Sequence, residues 1–511
     1  MQSAKAYLEL VHERGKRGLP LERVYRQLFN TDLYLSAYGK IYRNAGAMTK
    51  GVTDETPDGM SLEKVGTIIE ALRHERYRWK PARRTYILKK NGKQRPLGMP
   101  VWSDKLLQEV IRQILEAYFE PHFSHSSHGF RPGRGCHTAL REIYHNWGGS
   151  VWYIEGDISD CFGSLNHELL LQTLSEHILD GRFLTLMQAL LDAGYLEDWQ
   201  FHRTLSGVPQ GSVIGPILSN ILLDKLDTYV ETVLIPMYTR GGIRRRNPEY
   251  VQLINQAHYQ RRKGNAEKAR QLSKHAQQIP SIDPLDPDYR RLKYVRYADD
   301  FLLGFVGPKA EAEEIKQHIG AFLRDELKLE LSKAKTLITH ARSEAARFLG
   351  YEVTTIQDDA KQSRRRDGSR RRSVNGKIGL RVPRDVIAEK CRRYKKGKKA
   401  IHRAELLNES DFTIITAYQL EYRGIANYYR LAYNMHTLNH LKWVMECSLT
   451  KTLASKFRVT VPDIYEKYGA ELVADDRKCT GLQTILPRQG KKTACSHLGW
   501  DIAQVGYQGN P

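Results

Sequence analysis

Cysteine is scarce in this chain of 511 residues: six copies, none in a Cys-x-x-Cys pair. That scarcity excludes a disulfide framework and a paired-cysteine zinc domain. Long apolar runs are missing too. No stretch approaches the roughly 20 residues of a membrane-spanning helix, and residues 1–10 lack the apolar core of a secretory signal. The acidic residues near that end argue against an organellar transit peptide. No internal repeat is visible. Acid is the deficient charge overall, with 58 Asp and Glu against 80 Lys and Arg and a formal charge of +22. Such an excess predicts a polyanionic partner, nucleic acid or an anionic membrane surface. With no span and no signal, nucleic acid is favoured and no membrane is expected. A reducing, cytoplasmic setting (a bacterial cytosol, with an organelle as the alternative) fits the cysteine usage.

Apolar residues make up 41% of the chain, enough for sizeable cores, and the length suggests roughly three or four domains. Residues 1 to about 85 read as mostly helical, broken by a Gly/Thr/Asp-rich stretch at 44–59. Residues 85–90 and 95–100 read as a hairpin with basic residues near its turn. An amphipathic helix is predicted over about 105–118, with Leu106, Val110, Ile114 and Leu115 on one face. The apolar run 151–154 is a strand leading into Asp157. A helix after residue 212 carries Ile214, Ile217, Leu218, Ile221 and Leu222 at helical spacing. Residues 236 to about 290 are polar and basic and read as an insertion. The most basic stretch, 357–399, holds Arg364–Arg366, Arg370–Arg372 and a second cluster from Arg392 to Lys399. A tyrosine-rich helical segment spans about 411–456, and the last 40 or so residues read as Gly-rich and irregular.

The most telling tetrapeptide is Tyr297-Ala298-Asp299-Asp300, flanked by apolar runs that predict two strands and a tight turn. Adjacent carboxylates repel unless a cation neutralises them. The hard cation suited to carboxylate and phosphate oxygens together is Mg²⁺. Two-metal phosphoryl transfer needs carboxylates from separate segments around ions about 4 Å apart. Asp157, at the end of an apolar strand, is the natural third. It also stands where a helix N-cap would. Asp160 fits capping or structural bonding.

In chain order, Gly156-Asp-Ile-Ser-Asp-Cys-Phe162, Gly207-Val-Pro-Gln-Gly-Ser212 and Tyr297-Ala-Asp-Asp300 resemble the palm motifs of reverse transcriptases, and more narrowly those of the group II intron-encoded reverse transcriptase/maturases. Arg95-Pro-Leu-Gly-Met-Pro100, Ser127-His-Gly-Phe-Arg-Pro-Gly-Arg-Gly-Cys136, Leu331-Ser-Lys-Ala-Lys-Thr336 and Phe348-Leu-Gly-Tyr351 extend the likeness. Residues 44–59 resemble that family's N-terminal extension, so the resemblance covers about 40–456. It implies an α+β right-hand polymerase: fingers, an antiparallel palm sheet packed on helices, and a helical thumb. The implied domains are an N-terminal extension at 1–85 and a fingers–palm domain at 86–356 with its insertion at about 236–290. A basic connector and thumb or maturase domain follows at 357–470, then a short appendage at 471–511, a possible DNA-binding remnant.

The implied activity is RNA-directed DNA synthesis with two Mg²⁺ ions and deoxynucleoside triphosphates, coupled to intron splicing and to retrohoming by target-primed reverse transcription. Asp157, Asp299 and Asp300 would carry the ions, with Asp157 and Asp299 as direct ligands of both and the Ile158 carbonyl completing a shell. Phe162 would lie beneath the incoming sugar and exclude a 2′-hydroxyl, against the plain reading of a core phenylalanine. Arg95 would meet the triphosphate, with Lys89, Lys90 or Lys93 as a second cation, and Gln210 and Gly211 would line the nucleotide. Lys335 matches a motif lysine proposed as a general acid, and a surface lysine reads as well there. Intron RNA, a template–primer duplex and target DNA are the implied partners, in a ribonucleoprotein. Arg364, Arg365, Arg366, Arg370, Arg371, Arg372, Arg423 and Arg430 are the candidate phosphate contacts. Tyr418 and Tyr422 would share one helical face, and Tyr429 and Tyr433 another, mostly for packing. Cys479, Cys495 and His497 are too few and badly spaced for a structural zinc, so no nuclease domain is expected. Three other readings are weighed: a maturase that only assists splicing, a reverse transcriptase recruited to another role, and an RNA-templated RNA polymerase, against which Phe162 argues.

Overall fold

One buried helix, Trp102–Phe119, organises the first part of the chain. The computed structural model describes residues 2–44, 46–88, 92, 94–198, 200–204, 206–208, 211–283, 286–358, 361–364, 370–372, 374–474, 477–486 and 494–498. The chain divides into two units, residues 1–139 with 152–338, and residues 140–151 with 339–511. The expected amphipathic helix at 105–118 is instead buried almost all round, with Asp104, Gln108, Glu109 and Gln113 inside beside Leu106, Val110, Ile111 and Ile114. Those polar groups are tolerated because each is bonded. Arg112 donates to both Glu109 oxygens at 2.6 and 2.8 Å. Asp104 accepts from the Tyr77 hydroxyl at 2.6 Å and the Lys80 N–H at 3.0 Å. Gln108 accepts from the Val213 N–H and Gln113 from the Ser36 hydroxyl. The helix Ala4–Lys16 packs so closely that a Cβ on Gly15 would come within 2.3 Å of the Tyr118 carbonyl oxygen. Helices on every side thus remove the solvent face that the pattern promised.

Strands β1 (Ala82–Leu88) and β2 (Gln94–Met99) form the expected hairpin, with Ile87 opposite Arg95 and Thr85 opposite Leu97. Strand β3 (Trp152–Asp157) belongs to a separate sheet. β4 (Tyr195–Glu197) and β5 (Gln200–His202) extend the first sheet in the order β2-β1-β4-β5. β6 (Arg291–Tyr297) and β7 (Asp300–Val306) join β3 in an antiparallel sheet with β7 central. At the other edge of β3, Glu155 and Leu337 exchange backbone hydrogen bonds of 2.9 and 3.2 Å. β7 reads Phe-Leu-Leu-Gly-Phe-Val without polar alternation because both its faces are buried. Its core includes Ile217, Leu218, Ile221 and Leu222 of the helix Gly215–Tyr229, and Ala312, Ile315, Ile319 and Leu323 of the helix Lys309–Asp325.

Within 236–290 the chain forms a helical hairpin, Pro248–Arg262 and Ala266–Ala276, whose buried helical residues are Ala257, Ala269 and Ala276. Small residues at the seam let the two helices close together while Arg261, Arg262, Lys268, Arg270 and Lys274 stay exposed. Backbone bonds between Arg240 and Arg290, 3.1 and 3.0 Å, close its base.

In the second unit, Tyr351–Thr355 pairs antiparallel with Ala346–Phe348 and Ile378–Arg381. Helices Arg384–Arg392, Asp411–Tyr428, Leu438–Phe457 and Val461–Tyr468 follow. Two expectations change here. The tyrosine-rich helix stops at Tyr428, so Tyr429 and Tyr433 share no helical face; Tyr429 is buried and Tyr433 is 58% exposed. The Tyr351 hydroxyl takes the Tyr428 carbonyl, and the Tyr428 and Tyr429 hydroxyls donate to the Leu349 and Gly350 carbonyls. These tertiary bonds stand in for the next helical turn. The tail is also more regular than its glycines suggest. Gly469–Ala474, Arg477–Leu486 and Ala494–Leu498 make an antiparallel sheet, because Gly481 sits inside a strand of β-branched and apolar residues. Among the described residues, no helix is long and apolar enough to cross a membrane.

Candidate active site

Register brings the carboxylates together. Antiparallel pairing of β3 with β7 sets Asp157 directly opposite Asp300. Tyr297 pairs with Asp300 across the β6–β7 turn, leaving Ala298-Asp299 as a two-residue loop. Ala298 has φ 56°, the left-handed region where glycine or asparagine is preferred. Surrounding structure must impose that conformation. A Cβ on Gly129 would come within 2.2 Å of the Ala298 nitrogen, so only glycine lets that segment press on the turn. Arg296 donates to the Ala298 carbonyl at 2.9 Å.

Arg296 is itself fully buried, forked onto the fully buried Asp227 at 2.7 and 2.5 Å. It also donates to Asn220 Oδ1 at 3.1 Å and to the Ser127 hydroxyl at 3.0 Å. The Tyr294 hydroxyl donates to Asp227 at 2.8 Å, and Asn220 donates to the Gly129 carbonyl at 2.8 Å. One network therefore ties the turn to the Gly215–Tyr229 helix and to residues 127–129. The sequence reading missed it. A signal existed: Asn220 and Asp227 lie seven residues apart on one face of an otherwise apolar helix.

The electrostatics show what this gathering costs. Burial, then a hydrogen bond shared with Asp157 and repulsion from Asp299 and Asp157, pushes the Asp300 carboxyl up to about 7. Burial and the charge of Asp157 raise Asp299, while Lys335 and Arg95 pull it back. The Lys335 ammonium lies 2.9 Å from Asp157 Oδ1, although its side chain is 67% exposed, and that bond raises its own pKa. An ammonium on Asp157 and a carboxyl that resists ionising are the marks of a site short of positive charge. Among the described residues, no group of three or more His, Cys, Asp or Glu side chains is placed to hold a metal ion as it stands. Mg²⁺ keeps waters and substrate phosphates in its shell beside one or two carboxylates. The donors present are hard oxygens, and they fit such an ion.

The other predicted residues sort as follows. Ile158 has a buried side chain and forms an isolated bridge with Leu331. The bridge bonds are made by the flanking residues, Ser159 N–H to the Glu330 carbonyl and Ser332 N–H to the Asp157 carbonyl. The Ile158 carbonyl therefore points away from Leu331. Asp160 is in the N-cap position of Cys161–Ser164 with φ 43° and presses on Gly163, where a Cβ would meet its Oδ2 at 2.2 Å. The Phe162 carbonyl accepts from the Val208 N–H at 2.8 Å, which locks that turn to the 207–208 loop. Gly211 has φ 107°, and a Cβ there would meet the Gly98 carbonyl at 2.8 Å, so this glycine is required twice over. Arg95 stands on exposed β2 within electrostatic reach of Asp299. Lys89 and Gln210 lie outside the described residues, as do Lys90, Lys93, Arg365 and Arg366. Arg364 and Arg370–Arg372 belong to a two-stranded ladder whose side chains lie outside the description. The side chains of Cys479, Cys495 and His497 lie outside it too. Arg423 and Arg430 are exposed in the second unit.

Comparison with known proteins places the chain in a family. Residues 87–239 match the family described as reverse transcriptase (RNA-dependent DNA polymerase), and residues 377–493 match type II intron maturase. The group II intron-encoded protein LtrA of Lactococcus lactis subsp. cremoris is 40% identical over 482 residues, 90% of this chain and 79% of that protein. A putative COX1/OXI3 intron 1 protein of Saccharomyces cerevisiae is 35% identical over 460 residues, 87% of this chain and 54% of that protein. Among solved structures, an apo telomerase from Candida tropicalis aligns over 54% of this chain and 53% of its own, with 15% identity and a TM-score of 0.33. That likeness carries no argument here. The reverse transcriptase match and the mixed sheets and helices give a fingers–palm polymerase fold.

Proposed function

We propose a reaction and a binding role that proceed from one premise: the chain belongs to the group II intron-encoded reverse transcriptase/maturase family. As a member it is an RNA-directed DNA polymerase that also serves the splicing of its intron. In the reaction, the 3′-hydroxyl oxygen of a primer attacks the α-phosphorus of a deoxynucleoside triphosphate paired to the RNA template. One P–O bond forms, another breaks, and pyrophosphate leaves. The observation that carries the assignment to this site is the register of Asp157 opposite Asp300, with Asp299 at the turn beside them.

Asp157, Asp299 and Asp300 would hold two Mg²⁺ ions, with the Ile158 carbonyl beside them. Bound there, the ions supply an acidified primer hydroxyl and neutralise phosphate charge. The protein's own groups do the rest. The buried Arg296–Asp227 pair holds the turn, and with it Asp299, in one place. Arg95, on the hairpin of β1 and β2, meets the triphosphate with a planar fork. The Lys335 ammonium, 2.9 Å from Asp157 Oδ1, is the acid that would donate a proton toward the leaving pyrophosphate. The Phe162 ring excludes a 2′-hydroxyl, and the Gly211 loop lets backbone approach the nucleotide.

The helices after residue 383 serve as the thumb. Exposed Arg423 on the helix Asp411–Tyr428 and Arg430 in the turn after it grip intron RNA, as does the basic 236–290 hairpin. Gripping a structured RNA favours its folded form by mass action. Target DNA and the template–primer duplex complete the partners of a cytoplasmic ribonucleoprotein engaged in retrohoming. Primer extension on an RNA template with Mg²⁺ and deoxynucleotides tests the chemistry, wild type beside Asp157→Asn. Extension by the wild type alone is expected. Tight intron-RNA binding with no extension by either protein would leave a maturase that only assists splicing.

A further inference from the structure

Phe130 lies in the Ser127–Cys136 motif and has no role in the reaction as described so far. It combines three features that are uncommon together. Its φ is 57°, in the left-handed region that bulky side chains avoid. Its ring is 49% exposed although nothing about it is polar. That ring meets Phe162 edge to face, with centroids 6.3 Å apart and planes at 72°. The backbone on each side is fixed. Gly129 is pressed on the Ala298 turn, and its carbonyl is held by Asn220. Arg131 is buried and donates to Glu120, to the Ser124 carbonyl at 2.5 Å and to the Ser127 carbonyl at 2.8 Å. A strained residue persists only where its surroundings over-determine it, and such residues gather at functional sites. Here the strain aims one aromatic ring at another.

We propose that Phe130 is a positioning residue for sugar selection: its ring buttresses Phe162 and stops the gate from yielding to a ribonucleotide. The inference rests on the reading of Phe162 as the residue beneath the incoming sugar. A 2′-hydroxyl differs from hydrogen by one atom's bulk, so a wall that can swing aside excludes little. Phe162 lies in a four-residue turn held at its carbonyl by Val208. That bond fixes its backbone but not its ring. The edge-to-face contact with Phe130 fixes the ring, and an aromatic pair of this kind adds a directional preference beyond its area.

The experiment compares kcat/KM for deoxy- and ribonucleotides on one RNA template–primer, using the full chain and its variants. Phe130→Ala should lower deoxy-over-ribo discrimination by about three- to tenfold, chiefly by raising ribonucleotide kcat/KM while deoxynucleotide kcat holds. Phe130→Tyr keeps the ring and should restore discrimination. Phe130→Gly relieves the backbone strain, so its Tm should not fall below that of Phe130→Ala, yet its discrimination should fall equally. Combined with Phe162→Ala, Phe130→Ala should add little. Unchanged discrimination in both Phe130→Ala and Phe130→Gly, beside a clear loss in Phe162→Ala, would overturn this inference alone. An equal loss of both nucleotides would overturn it as well, by showing a general role. No change in Phe162→Ala, or no extension by the wild type, would overturn the reading beneath it and this inference with it.

Discussion

At the tip of β6 and β7, charge of one sign is half-buried and crowded: Asp299 and Asp300 resist ionising, and an ammonium leans on Asp157. In the segment Asp411–Tyr428 and the turn after it, the arrangement is reversed. Tyr418 and Tyr422 are buried, and Arg423 and Arg430 stand in solvent. The first region stores unfavourable electrostatics that a bound cation would relieve. The second exposes its cations to a polyanion, and binding there would be driven by the release of condensed counterions. Chemistry is therefore expected to depend on a few exact positions, and RNA binding on the sum of many replaceable charges.

Asp299→Asn attacks the comparison at its strongest point. It removes a charge proposed to hold metal, and losing several kcal/mol of charge stabilisation in the transition state would lower extension by about a thousandfold or more. Steady-state extension rates read this directly. Arg296→Ala comes next. It leaves Asp227 buried and unpaired, which costs about 3–5 kcal/mol in other proteins, so the transition of the unit that contains it should fall sharply by calorimetry. Arg296→Met with Asp227→Leu should cost much less stability yet still lower extension, because the bond to the Ala298 carbonyl is gone.

A pH effect is smaller. The folded-state pKa of Asp300 lies above that of an unfolded aspartate. Its contribution therefore favours the fold below about pH 4 and is lost as pH rises to about 7. The metal-free wild type should lose stability across that window, and Asp300→Asn should flatten the slope. Mg²⁺ added at pH 8 should raise the Tm of the wild type more than that of the variant. The smallest effect is expected from Arg423→Ala with Arg430→Ala. Losing two phosphate contacts should shrink the log–log salt slope of intron-RNA binding by about 1.4, with extension on a short template unchanged. An unchanged slope would make both arginines bystanders.

Much of the central strand pattern was legible in the sequence because it is local. The apolar runs around Asp299 and before Asp157 are strands. What pairs distant segments was not legible. Arg296 lies 69 residues from Asp227 in sequence, and in an isolated strand an arginine reads as a solvent-facing residue. Lys335 read equally well as a surface lysine, because its ion pair with Asp157 spans 178 residues. The helix Trp102–Phe119 looked amphipathic because three of its buried polar residues, Asp104, Gln108 and Gln113, are matched by partners elsewhere in the fold. The end of the tyrosine-rich helix at Tyr428 is set by carbonyls at 349 and 350, and the sheet in the tail by pairing that overrides its glycines.

The most direct test of this separation measures two quantities on one preparation of Asp299→Asn: primer extension on an RNA template with Mg²⁺, and equilibrium affinity for the intron RNA at fixed salt. Extension should vanish while affinity stays within about twofold of wild type, because the lost charge acts on metal and not on the basic surface. Retained extension, or a loss of affinity in a variant that melts like the wild type, would contradict the account.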